Sequence, residues 1–262
     1  MQRLRRLLRR RSVRRSEGAF VVEGTKLLAG ALAAGAVVES VFVEAGARGQ
    51  APVQDVVRAA LDSGARVFDL ETGVIERVAD TVTPQPVLAV VAMPQATLDE
   101  VSGAAFVVVC VDVRDPGNAG AIVRVADAAG ADAVVCCGGT VDAFNPKTVR
   151  ASAGSVLHLP VVAAGDAVPT LVALGEAGLR RVAALSSGGV PYSELDPTTP
   201  VALVLGNESG GVPPAALDHV DTRVTIPMAG GVESLNVSTA AAVLCFDLAR
   251  RRSNLHAMGS TR

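Results

Sequence analysis

The sequence predicts an α/β fold built from a small domain followed by a larger one. Short apolar runs typical of buried strands alternate along the chain with longer segments of helical periodicity. Glycines such as Gly24, Gly35, Gly64 and Gly130 stand where the predicted helices begin or end. With 262 residues, 50% of them hydrophobic, the chain is long enough to bury a substantial core in one or two domains.

The first domain is predicted to follow a basic segment and to end at a linker. Residues 94–103, PQATLDEVSG, are mostly polar and are bounded by proline and glycine, as linkers commonly are. We therefore predict an N-terminal arm at 1–17, a first domain at 18–93, the linker at 94–103 and a second domain at 104–262. Within the first domain we expect strands at 19–22, 38–43, 66–70 and 87–92, and helices at 25–34, 53–63 and 74–79.

The second domain continues the alternation of strands and helices. A turn-rich loop at 112–118 joins its first strand to a helix that Gly130 ends. The final helix carries one continuous apolar stripe, formed by Val237, Ala240, Ala241, Leu244, Cys245 and Leu248. We expect strands at 106–111, 133–137, 181–185, 201–205 and 223–228, and earlier helices at 119–129 and 168–177.

A ligand cleft is predicted where two strands end and the final helix begins. The strand at 201–205 ends in GNESGG, the strand at 223–228 ends in AGG, and Ser234 and Asn236 stand where the final helix would be capped. Strand carboxyl ends and helix amino ends are where open α/β sheets bind ligands, because unpaired backbone N–H groups and a crevice occur there. The five glycines of these two loops are expected to let the chain bend tightly around a ligand.

Arg124 is expected to point away from the protein core. The buried face of helix 119–129 is formed by Ile122, Val125, Ala126 and Ala129, and Arg124 lies on nearly the opposite side. The plain interpretation is a surface pair with Asp127 three residues on, which would add a few tenths of a kcal/mol to helix stability. The functional interpretation is a cation at the cleft.

Positive charge is concentrated at the start of the chain. Eight arginines precede the first acidic residue, so the first fifteen side chains carry +8 and the remainder carries −10. Such a basic segment favours a polyanionic partner, and the absence of aromatic residues among the arginines favours phosphate contacts over base stacking. A solvated charged helix and a mitochondrial presequence are the alternatives.

A second group of cations lies at residues 145–155, NPKTVRASAGS. A helix N-cap, Lys147, Arg150 and several small residues are combined there, a composition that suits a phosphate-bearing ligand. An ordinary surface arginine is the alternative for Arg150. For Lys26 the sequence leaves open a surface lysine or an RNA contact.

Several functional classes lack support in the sequence. No apolar run reaches the roughly 18 residues of a membrane span. The three histidines stand in unrelated contexts, and the four cysteines lack metal spacing, so no metal site, hydrolase or metalloenzyme is indicated. The cysteines are expected to be buried thiols in a reducing cytosol. A dinucleotide loop is disfavoured because GNAG at 117–120 lacks the G-x-G-x-x-G spacing.

Three segments resemble the motifs of a known enzyme family. They read DVRDPGNAGAIVRVA at 112–126, LVLGNESGGV at 203–212 and IPMAGGVESLNVSTAAAV at 226–243. In this order they are similar to the three motifs of the SpoU (TrmH-type) RNA 2′-O-ribose methyltransferases of the SPOUT superfamily. FVVEG at 20–24 and KTVRASAG at 147–154 resemble further stretches of that family.

The resemblance implies an enzyme that uses S-adenosylmethionine to methylate a ribose 2′-oxygen of RNA, with large-subunit ribosomal RNA favoured. It also implies a deep trefoil knot in the second domain, a first domain that resembles a ribosomal protein and binds substrate RNA, a homodimer, and a cytoplasmic location. The implied catalytic residues are Asn118, Arg124, Glu208, Ser234 and Asn236. The implied cofactor-binding residues are Leu205, Gly206, Ile226, Met228, Ser234 and Leu235. The residues expected to bind RNA are Arg10, Arg11, Lys26, Lys147 and Arg150.

Other functions remain open at this point. The substrate could be tRNA, and a resistance methyltransferase acting on a drug-binding rRNA site is a variant of the same reaction. A Rossmann-type oxidoreductase and a non-catalytic ribosome assembly factor are hypotheses from other classes. Arg124 is expected to clamp phosphate and stabilise developing alkoxide charge, because a guanidinium with a pKa above about 12 is a poor base. Glu208 is expected to hold Arg124 or Asn118 in place.

Overall fold

The computed structural model describes residues 1–79 and 83–259, with side chains described as far as residue 254. The chain forms two compact units. Unit 1 comprises Met1–Pro94 and Asp142–His158, and unit 2 comprises Gln95–Val141 and Leu159–Arg262.

Unit 1 is built on a four-stranded mixed sheet. Its strands are β1 (Ala19–Glu23), β2 (Val38–Glu44), β3 (Arg66–Leu70) and β4 (Val87–Ala92), in the order β1-β4-β2-β3. Strand β4 runs antiparallel to both β1 and β2, whereas β2 and β3 are parallel. Its helices are α1 (Gln2–Arg9), α2 (Arg11–Glu17), α3 (Thr25–Ala33), α4 (Ala51–Asp62) and α6 (Pro146–Ala151).

The basic N-terminal segment is part of unit 1, and the expectation of a separate arm at 1–17 is corrected. Leu4, Leu7 and Leu8 of α1 are at most 5% exposed and pack with β1 and β4 in one hydrophobic cluster. Burying a leucine side chain contributes about 1.5–3 kcal/mol, so three leucines hold the helix on the sheet. The apolar stripe therefore outweighs the repulsion among the arginines.

Residues 142–158 also belong to unit 1, although the sequence placed them in the second domain. Helix α6 packs on β1, and the ring of Phe144 lies 5.0 Å from the ring of Phe20. Arg150 of α6 forms an ion pair of 2.9 Å with Glu23 at the end of β1. The segment is joined to β1 by contacts between residues far apart in the chain. The local composition of residues 142–158 gives no sign of such contacts.

Two further expectations for this part of the chain are corrected. Residues 95–103 of the predicted linker belong to unit 2, where Val101 is 3% exposed and Ala96 bridges to Val162. The predicted helix at 74–79 is a series of turns in which Ile75 and Val78 are buried.

Unit 2 is built on a seven-stranded parallel sheet. Its strands are β5 (Phe106–Cys110), β6 (Ala133–Cys136), β7 (Val161–Ala163), β8 (Arg180–Leu185), β9 (Val190–Pro191), β10 (Val201–Leu205) and β11 (Thr222–Thr225), in the order β7-β6-β5-β10-β8-β11-β9. Helices α5 (Pro116–Ala128) and α9 (Val237–Gly259) pack against each other, as do α7 (Ala167–Glu176) and α8 (Pro214–Leu217). Strands β5 and β10 are buried along their whole length, which explains why they are continuous apolar runs.

The strand order reverses at the centre of the sheet, between β5 and β10. From β5 the chain proceeds to β6 and β7 on one side, and β8 and β10 then fill the other side. Such a reversal of strand order leaves the loops after the two central strands on opposite faces, and ligands bind between them. The loop after β5 leads into α5, and the loop after β10 carries the GNESGG sequence. No helix among the described residues is both long and apolar enough to cross a membrane.

Candidate active site

A cavity of about 540 Å³ opens at the carboxyl ends of three strands of unit 2. Its walls are the residues that follow β8, β10 and β11, together with the start of α9. This volume is within the range of about 300–1,000 Å³ that small-molecule and cofactor sites have. The predicted cleft is therefore present where two of its strands and the final helix were expected to meet.

The residues expected to bind the cofactor all line this cavity. They come in pairs from the end of β10, the segment after β11 and the segment before α9: Leu205 and Gly206, Ile226 and Met228, Ser234 and Leu235. Leu205 is 1% exposed, whereas Ser234 is exposed, so the cavity has an apolar floor and a polar mouth. These placements agree with the expectation, while the role of each residue stays a prediction.

Gly206 is required by the close approach of two backbone segments. A Cβ atom at this position would lie 2.2 Å from the carbonyl carbon of Gly211, where no atom fits. The loop is closed by reciprocal hydrogen bonds of 2.9 Å between the backbone groups of Asn207 and Gly211. The side-chain oxygen of Asn207 accepts further hydrogen bonds from the backbone N–H groups of Ser209 and Gly210. The loop is thus held in this shape by hydrogen bonds within its own residues.

The five glycines of the two loops are not equivalent, which corrects the sequence-based expectation. Gly211 has a positive φ of 63° and so favours glycine. Gly210, Gly230 and Gly231 have negative or extended φ values and no atom close enough to exclude a Cβ. Only Gly206 and Gly211 are therefore dictated by geometry.

Three polar side chains from distant parts of the chain form a hydrogen-bonded chain at the mouth of the cavity. Asn118 Nδ2 donates to Glu208 Oε1 at 2.8 Å, and Asn236 Nδ2 donates to Asn118 Oδ1 at 2.9 Å. Asn236 Oδ1 caps α9 by accepting from the backbone N–H of Ser238 at 2.9 Å. Asp115 caps α5 by accepting from the backbone N–H of Asn118 at 2.8 Å. Asn118 lies in the first turn of α5 rather than in the predicted loop, and two helix starts are thereby joined to the loop after β10.

Arg124 is exposed and lies apart from this group. It follows Asn118 by six residues on α5, a helical rise of about 9 Å. No hydrogen bond or ion pair joins its guanidinium to another residue in the described part of the chain, so the surface pair with Asp127 is not formed. Of the two partners expected for Glu208, the structure has Asn118. Arg124 belongs neither to the cavity lining nor to the hydrogen-bonded chain, and its catalytic role stays a prediction.

The residues expected to bind RNA all lie in unit 1. Arg10, Arg11, Lys26 and Lys147 are exposed, and Arg150 is half-buried in its pair with Glu23. Unit 1 contains 15 lysines and arginines against 11 acidic residues, a formal charge of +4, whereas unit 2 contains 9 against 15, a formal charge of −6. Positive charge is therefore a property of unit 1 as a whole.

Some lining residues were not singled out in the sequence. Ala184 and Leu185 at the end of β8 form one wall of the cavity together with Ser186 and Ser187, which follow the strand. Leu217 and Leu244 contribute apolar surface. The sequence SSGG after a predicted strand is the signal that could have identified the first group. The four cysteines are buried, as expected, and the pKa of Cys110 is raised by its hydrogen bond with Cys136 and by burial. Such a thiol is protonated at neutral pH and is a poor nucleophile.

Comparison with known proteins defines the class. Residues 105–246 match the model of the SpoU rRNA Methylase family, and residues 1–89 match the MRM3-like substrate binding domain. The chain therefore belongs to the SpoU rRNA methylase family, and the family predicted from the three motifs is confirmed. The predicted α/β fold with an N-terminal substrate-binding domain is confirmed as well.

Individual relatives cover nearly the whole chain. The 23S rRNA (guanosine(2553)-2′-O)-methyltransferase RlmP of Bacillus subtilis is 36% identical over 230 residues, which are 87% of this chain and 88% of RlmP. Among solved structures, the SpoU methyltransferase AviRb from Streptomyces viridochromogenes in complex with AdoMet superposes with a TM-score of 0.85 at 28% identity, covering 97% of this chain and 98% of AviRb. The AdoMet-bound rRNA methyltransferase from Sinorhizobium meliloti has a TM-score of 0.82 at 30% identity, covering 96% and 94%.

Proposed function

We propose that this protein transfers a methyl group from S-adenosylmethionine to a ribose 2′-oxygen of RNA, with large-subunit ribosomal RNA as the favoured substrate. The observation that carries the proposal is the hydrogen-bonded chain of Asn118, Glu208 and Asn236 at the mouth of the 540 Å³ cavity. Family membership and relatives named as 23S rRNA 2′-O-methyltransferases support it.

The cavity suits S-adenosylmethionine. Leu205, Ile226 and Leu235 supply apolar walls for a flat base, and the loops that carry Gly206 and Ser234 supply backbone groups for hydrogen bonds. Glycine at position 206 lets the loop after β10 fold back on Gly211 at the wall of the cavity. When bound, S-adenosylmethionine supplies a methyl group on an already activated sulfonium, so the protein contributes mainly positioning.

The polar residues at the mouth act on the attacking nucleotide. Asn118, held between Glu208 and Asn236, together with Ser234 orients the ribose so that its 2′-oxygen faces the methyl group. Arg124 clamps a phosphate of the nucleotide and stabilises the charge that develops on the 2′-oxygen. The hydroxyl proton passes to a water or to the RNA phosphate, because a guanidinium cannot accept it.

Unit 1 holds the RNA substrate. Arg10, Arg11, Lys26 and Lys147 are exposed cations that suit phosphate, and Arg150 is oriented by Glu23. The formal charge of +4 on unit 1 draws polyanions to it without specifying sequence. Ribosomal RNA is favoured over tRNA because the relatives RlmP and RlmB are named for 23S rRNA.

The proposal includes a homodimer, a trefoil knot and a cytoplasmic location. Phe246 is 50% exposed on α9, a large apolar side chain that self-association would cover. The knot would arise where the chain between β10 and α9 passes through an earlier loop, and a crystal structure tracing residues 201–250 would test it. The cytoplasmic location is part of the proposal because ribosomal RNA is the favoured substrate.

Transfer of labelled methyl from S-adenosylmethionine to unmodified 23S rRNA and to tRNA tests the function. Wild type is expected to label 23S rRNA at a 2′-oxygen, which blocks alkaline cleavage at that nucleotide and so maps the site. Arg124→Ala is expected to lower kcat by about 10²–10³-fold. Arg223→Ala, which removes another exposed arginine of unit 2, is the matched control and should retain wild-type activity.

Two outcomes would contradict the proposal. A protein that binds S-adenosylmethionine and RNA but labels neither RNA would favour a non-catalytic assembly factor. A protein that does not bind S-adenosylmethionine by calorimetry would remove the cofactor assignment of the cavity.

A further inference from the structure

The loop between β5 and α5 contains a residue in an unfavourable backbone conformation. Asp112 has a φ of 57°, and the only other non-glycine residue with positive φ in the described part of the chain is Ala153. The left-handed region costs an ordinary residue about 1–2 kcal/mol, although aspartate tolerates it better than most. Strain of this kind persists only where the surroundings impose it, and it is concentrated at functional sites.

The surroundings of Asp112 fix it from several directions. Its carbonyl oxygen accepts a hydrogen bond of 2.9 Å from Asn207 Nδ2 in the loop after β10. The next residue, Val113, is fully buried, and its carbonyl accepts from the backbone N–H of Val141 at 2.9 Å. A Cβ atom at Gly139 would lie 2.5 Å from Asp112 Oδ1, so the carboxylate occupies the space that a side chain at Gly139 would fill.

This arrangement holds one exposed cation in place. Asp112 Oδ1 accepts a hydrogen bond of 2.9 Å from Arg114 Nε, while the Arg114 side chain is 73% exposed and the Asp112 side chain 25% exposed. An ion pair this exposed contributes little to stability, so it does not by itself offset the cost of the strained backbone. Stability is therefore a poor explanation for the ion pair between Asp112 and Arg114.

Arg114 stands four residues before Asn118, and its partner Asp112 is hydrogen-bonded to Asn207, the residue before Glu208. The pKa of its guanidinium is raised by the hydrogen bond and charge of Asp112, and the charge of Glu208 adds to the effect. Glu208 in turn holds Asn118 through Oε1. Within the described residues the recorded hydrogen bond of Arg114 uses Nε alone, which leaves the two terminal nitrogens to donate together to a ligand.

We propose that Arg114 binds a phosphate of the RNA next to the nucleotide that is methylated, and that Asp112 is a positioning residue for Arg114. A guanidinium donates two parallel hydrogen bonds to phosphate, and a fixed Nε sets the direction of the remaining donors. The inference rests on the proposed function, since it assigns a substrate contact to the same site. It concerns a residue that none of the catalytic or cofactor roles above uses.

Salt-dependent binding of an in vitro transcript of 23S rRNA tests the assignment of Arg114. Loss of one phosphate contact reduces the slope of log affinity against log salt concentration by about 0.7–0.9. Arg114→Ala is expected to show this reduction, with about tenfold weaker RNA binding, a correspondingly higher KM for RNA, and unchanged affinity for S-adenosylmethionine. Arg114→Lys, which keeps the charge, is expected to retain the slope and lose part of the affinity.

Arg250→Ala is the matched control. Arg250 is 66% exposed and is paired with Asp247 at 2.8 Å, much as Arg114 is paired with Asp112, but it stands 14 residues beyond Asn236 on α9, or about 21 Å by helical rise. Its removal should leave the slope and KM unchanged. An Arg114→Ala variant with wild-type slope and RNA affinity, in a protein whose wild type methylates RNA, would overturn the assignment. Absence of methylation by wild type would instead overturn the proposed function.

A double-mutant cycle tests the positioning role of Asp112. Asparagine tolerates the left-handed conformation but lacks the charge, so Asp112→Asn should weaken RNA binding less than Arg114→Ala does. If Asp112 acts through Arg114, adding Asp112→Asn to Arg114→Ala should cause no further loss. Additive losses, or weakened binding of S-adenosylmethionine in Asp112→Asn, would show a general structural role and refute the positioning role.

Discussion

Single side chains from three elements determine the geometry of the proposed reaction centre. The Asn118 amide donates a hydrogen bond from Nδ2 to Glu208 and accepts one at Oδ1 from Asn236. Both neighbours therefore set the orientation of this amide. Glu208 is exposed on a loop that backbone hydrogen bonds already close. Removing Glu208 would therefore release Asn118 without unfolding the loop.

The first prediction concerns the carboxylate of Glu208. Glu208→Ala is expected to lower kcat about tenfold or more, because small misplacements of positioning groups cost up to about 10²-fold. Glu208→Gln retains an acceptor for Asn118, so its kcat should lie between that of Glu208→Ala and that of wild type. Ser209→Ala, at the neighbouring exposed position, is the control for the loop. Wild-type kcat in Glu208→Ala, measured with saturating RNA and S-adenosylmethionine, would refute the role of Glu208.

The second prediction concerns the buried thiols. Burial raises the pKa of Cys137 to about 11 and that of Cys245 to about 12. In the unfolded chain both thiols ionise near pH 8.5. The unfolded state therefore binds fewer protons than the folded state above that pH, and the free energy of unfolding falls as pH rises from about 9 toward 11 and 12.

Urea unfolding at pH 8, 9 and 10 measures this effect. The two thiols together should add a decline of up to about 2.7 kcal/mol per pH unit at its steepest, since each group contributes at most about 1.36. The Cys137→Ala/Cys245→Ala variant is expected to be less stable at pH 8 because of cavities, yet to lose less stability between pH 8 and 10 than wild type does. Equal losses in the two proteins would show that the thiols do not govern this pH range.

Whole elements meet at the cavity because loop geometry brings them together. The loop after β10 turns back on itself within six residues, and its glycine at 206 touches the backbone at Gly211. The loop before α9 makes no comparable approach at Gly230, where a Cβ would meet open space. The two glycine-rich segments look alike in sequence, but a side chain fits at Gly230 and does not fit at Gly206.

The third prediction compares these two glycines. Gly206→Ala forces the backbone near Gly211 to move and is expected to weaken S-adenosylmethionine binding at least tenfold, as measured by calorimetry. Gly230→Ala should bind S-adenosylmethionine within about twofold of wild type, because neither a positive φ nor a close neighbour requires glycine there. Equal affinities of the two variants would contradict this account of the loop.

The fourth prediction separates a structural arginine from the exposed ones in the first two helices. Arg14 is 2% exposed; it donates from Nε to Asp142 at 2.8 Å and from Nη1 to the carbonyl of Leu7 at 2.6 Å. Arg14→Met leaves Asp142 without its partner and should lower the free energy of unfolding by about 3–5 kcal/mol. Its exposed neighbour supplies the control, since Arg15→Ala should change stability by less than about 0.5 kcal/mol. Urea denaturation of both variants measures the free energy of unfolding. An unchanged urea midpoint for Arg14→Met would contradict the prediction.

At the scale of the whole molecule, charge and exposed apolar surface suggest how the protein meets its partners. Unit 1 has a formal charge of +4 and unit 2 of −6, so the long-range attraction of RNA comes from unit 1. On α9 of unit 2, Phe246 is 50% exposed although the helix contributes Leu244 and Leu248 to the core on other faces. Aromatic residues are enriched in protein–protein interfaces, so Phe246 is the position at which the proposed homodimer is tested.

The fifth prediction tests the proposed homodimer. Wild type is expected to sediment with the mass of two chains, and Phe246→Glu with the mass of one, because a C2 interface would bring the introduced charge into apolar contact on both subunits. Val37→Glu, at a valine of unit 1 that is 68% exposed, is the control and should retain the dimer mass. A wild type with the mass of a single chain would remove the homodimer from the proposal.

The sequence alone was sufficient for features that depend on local patterns. Buried strands such as 201–205 and 106–110 are continuous apolar runs, and helices such as α5 and α9 have an apolar stripe and a polar cap, so both kinds of element were predicted to within a few residues. The three motifs indicated the family, which the comparisons confirm. The six expected cofactor-binding residues line one cavity because strand ends of a parallel sheet meet at one edge.

Only the tertiary structure decided what depends on contacts between distant residues. Residues 142–158 belong to unit 1 because Arg14 and Glu23 pair with Asp142 and Arg150 more than 120 residues away. Contacts between distant residues also make Asn118 the partner of Glu208. The folded backbone likewise excludes a side chain at Gly206 but not at Gly230. Composition and periodicity report on one face of one element at a time. Hydrogen-bond partners and steric limits are set by whichever segment folding brings alongside.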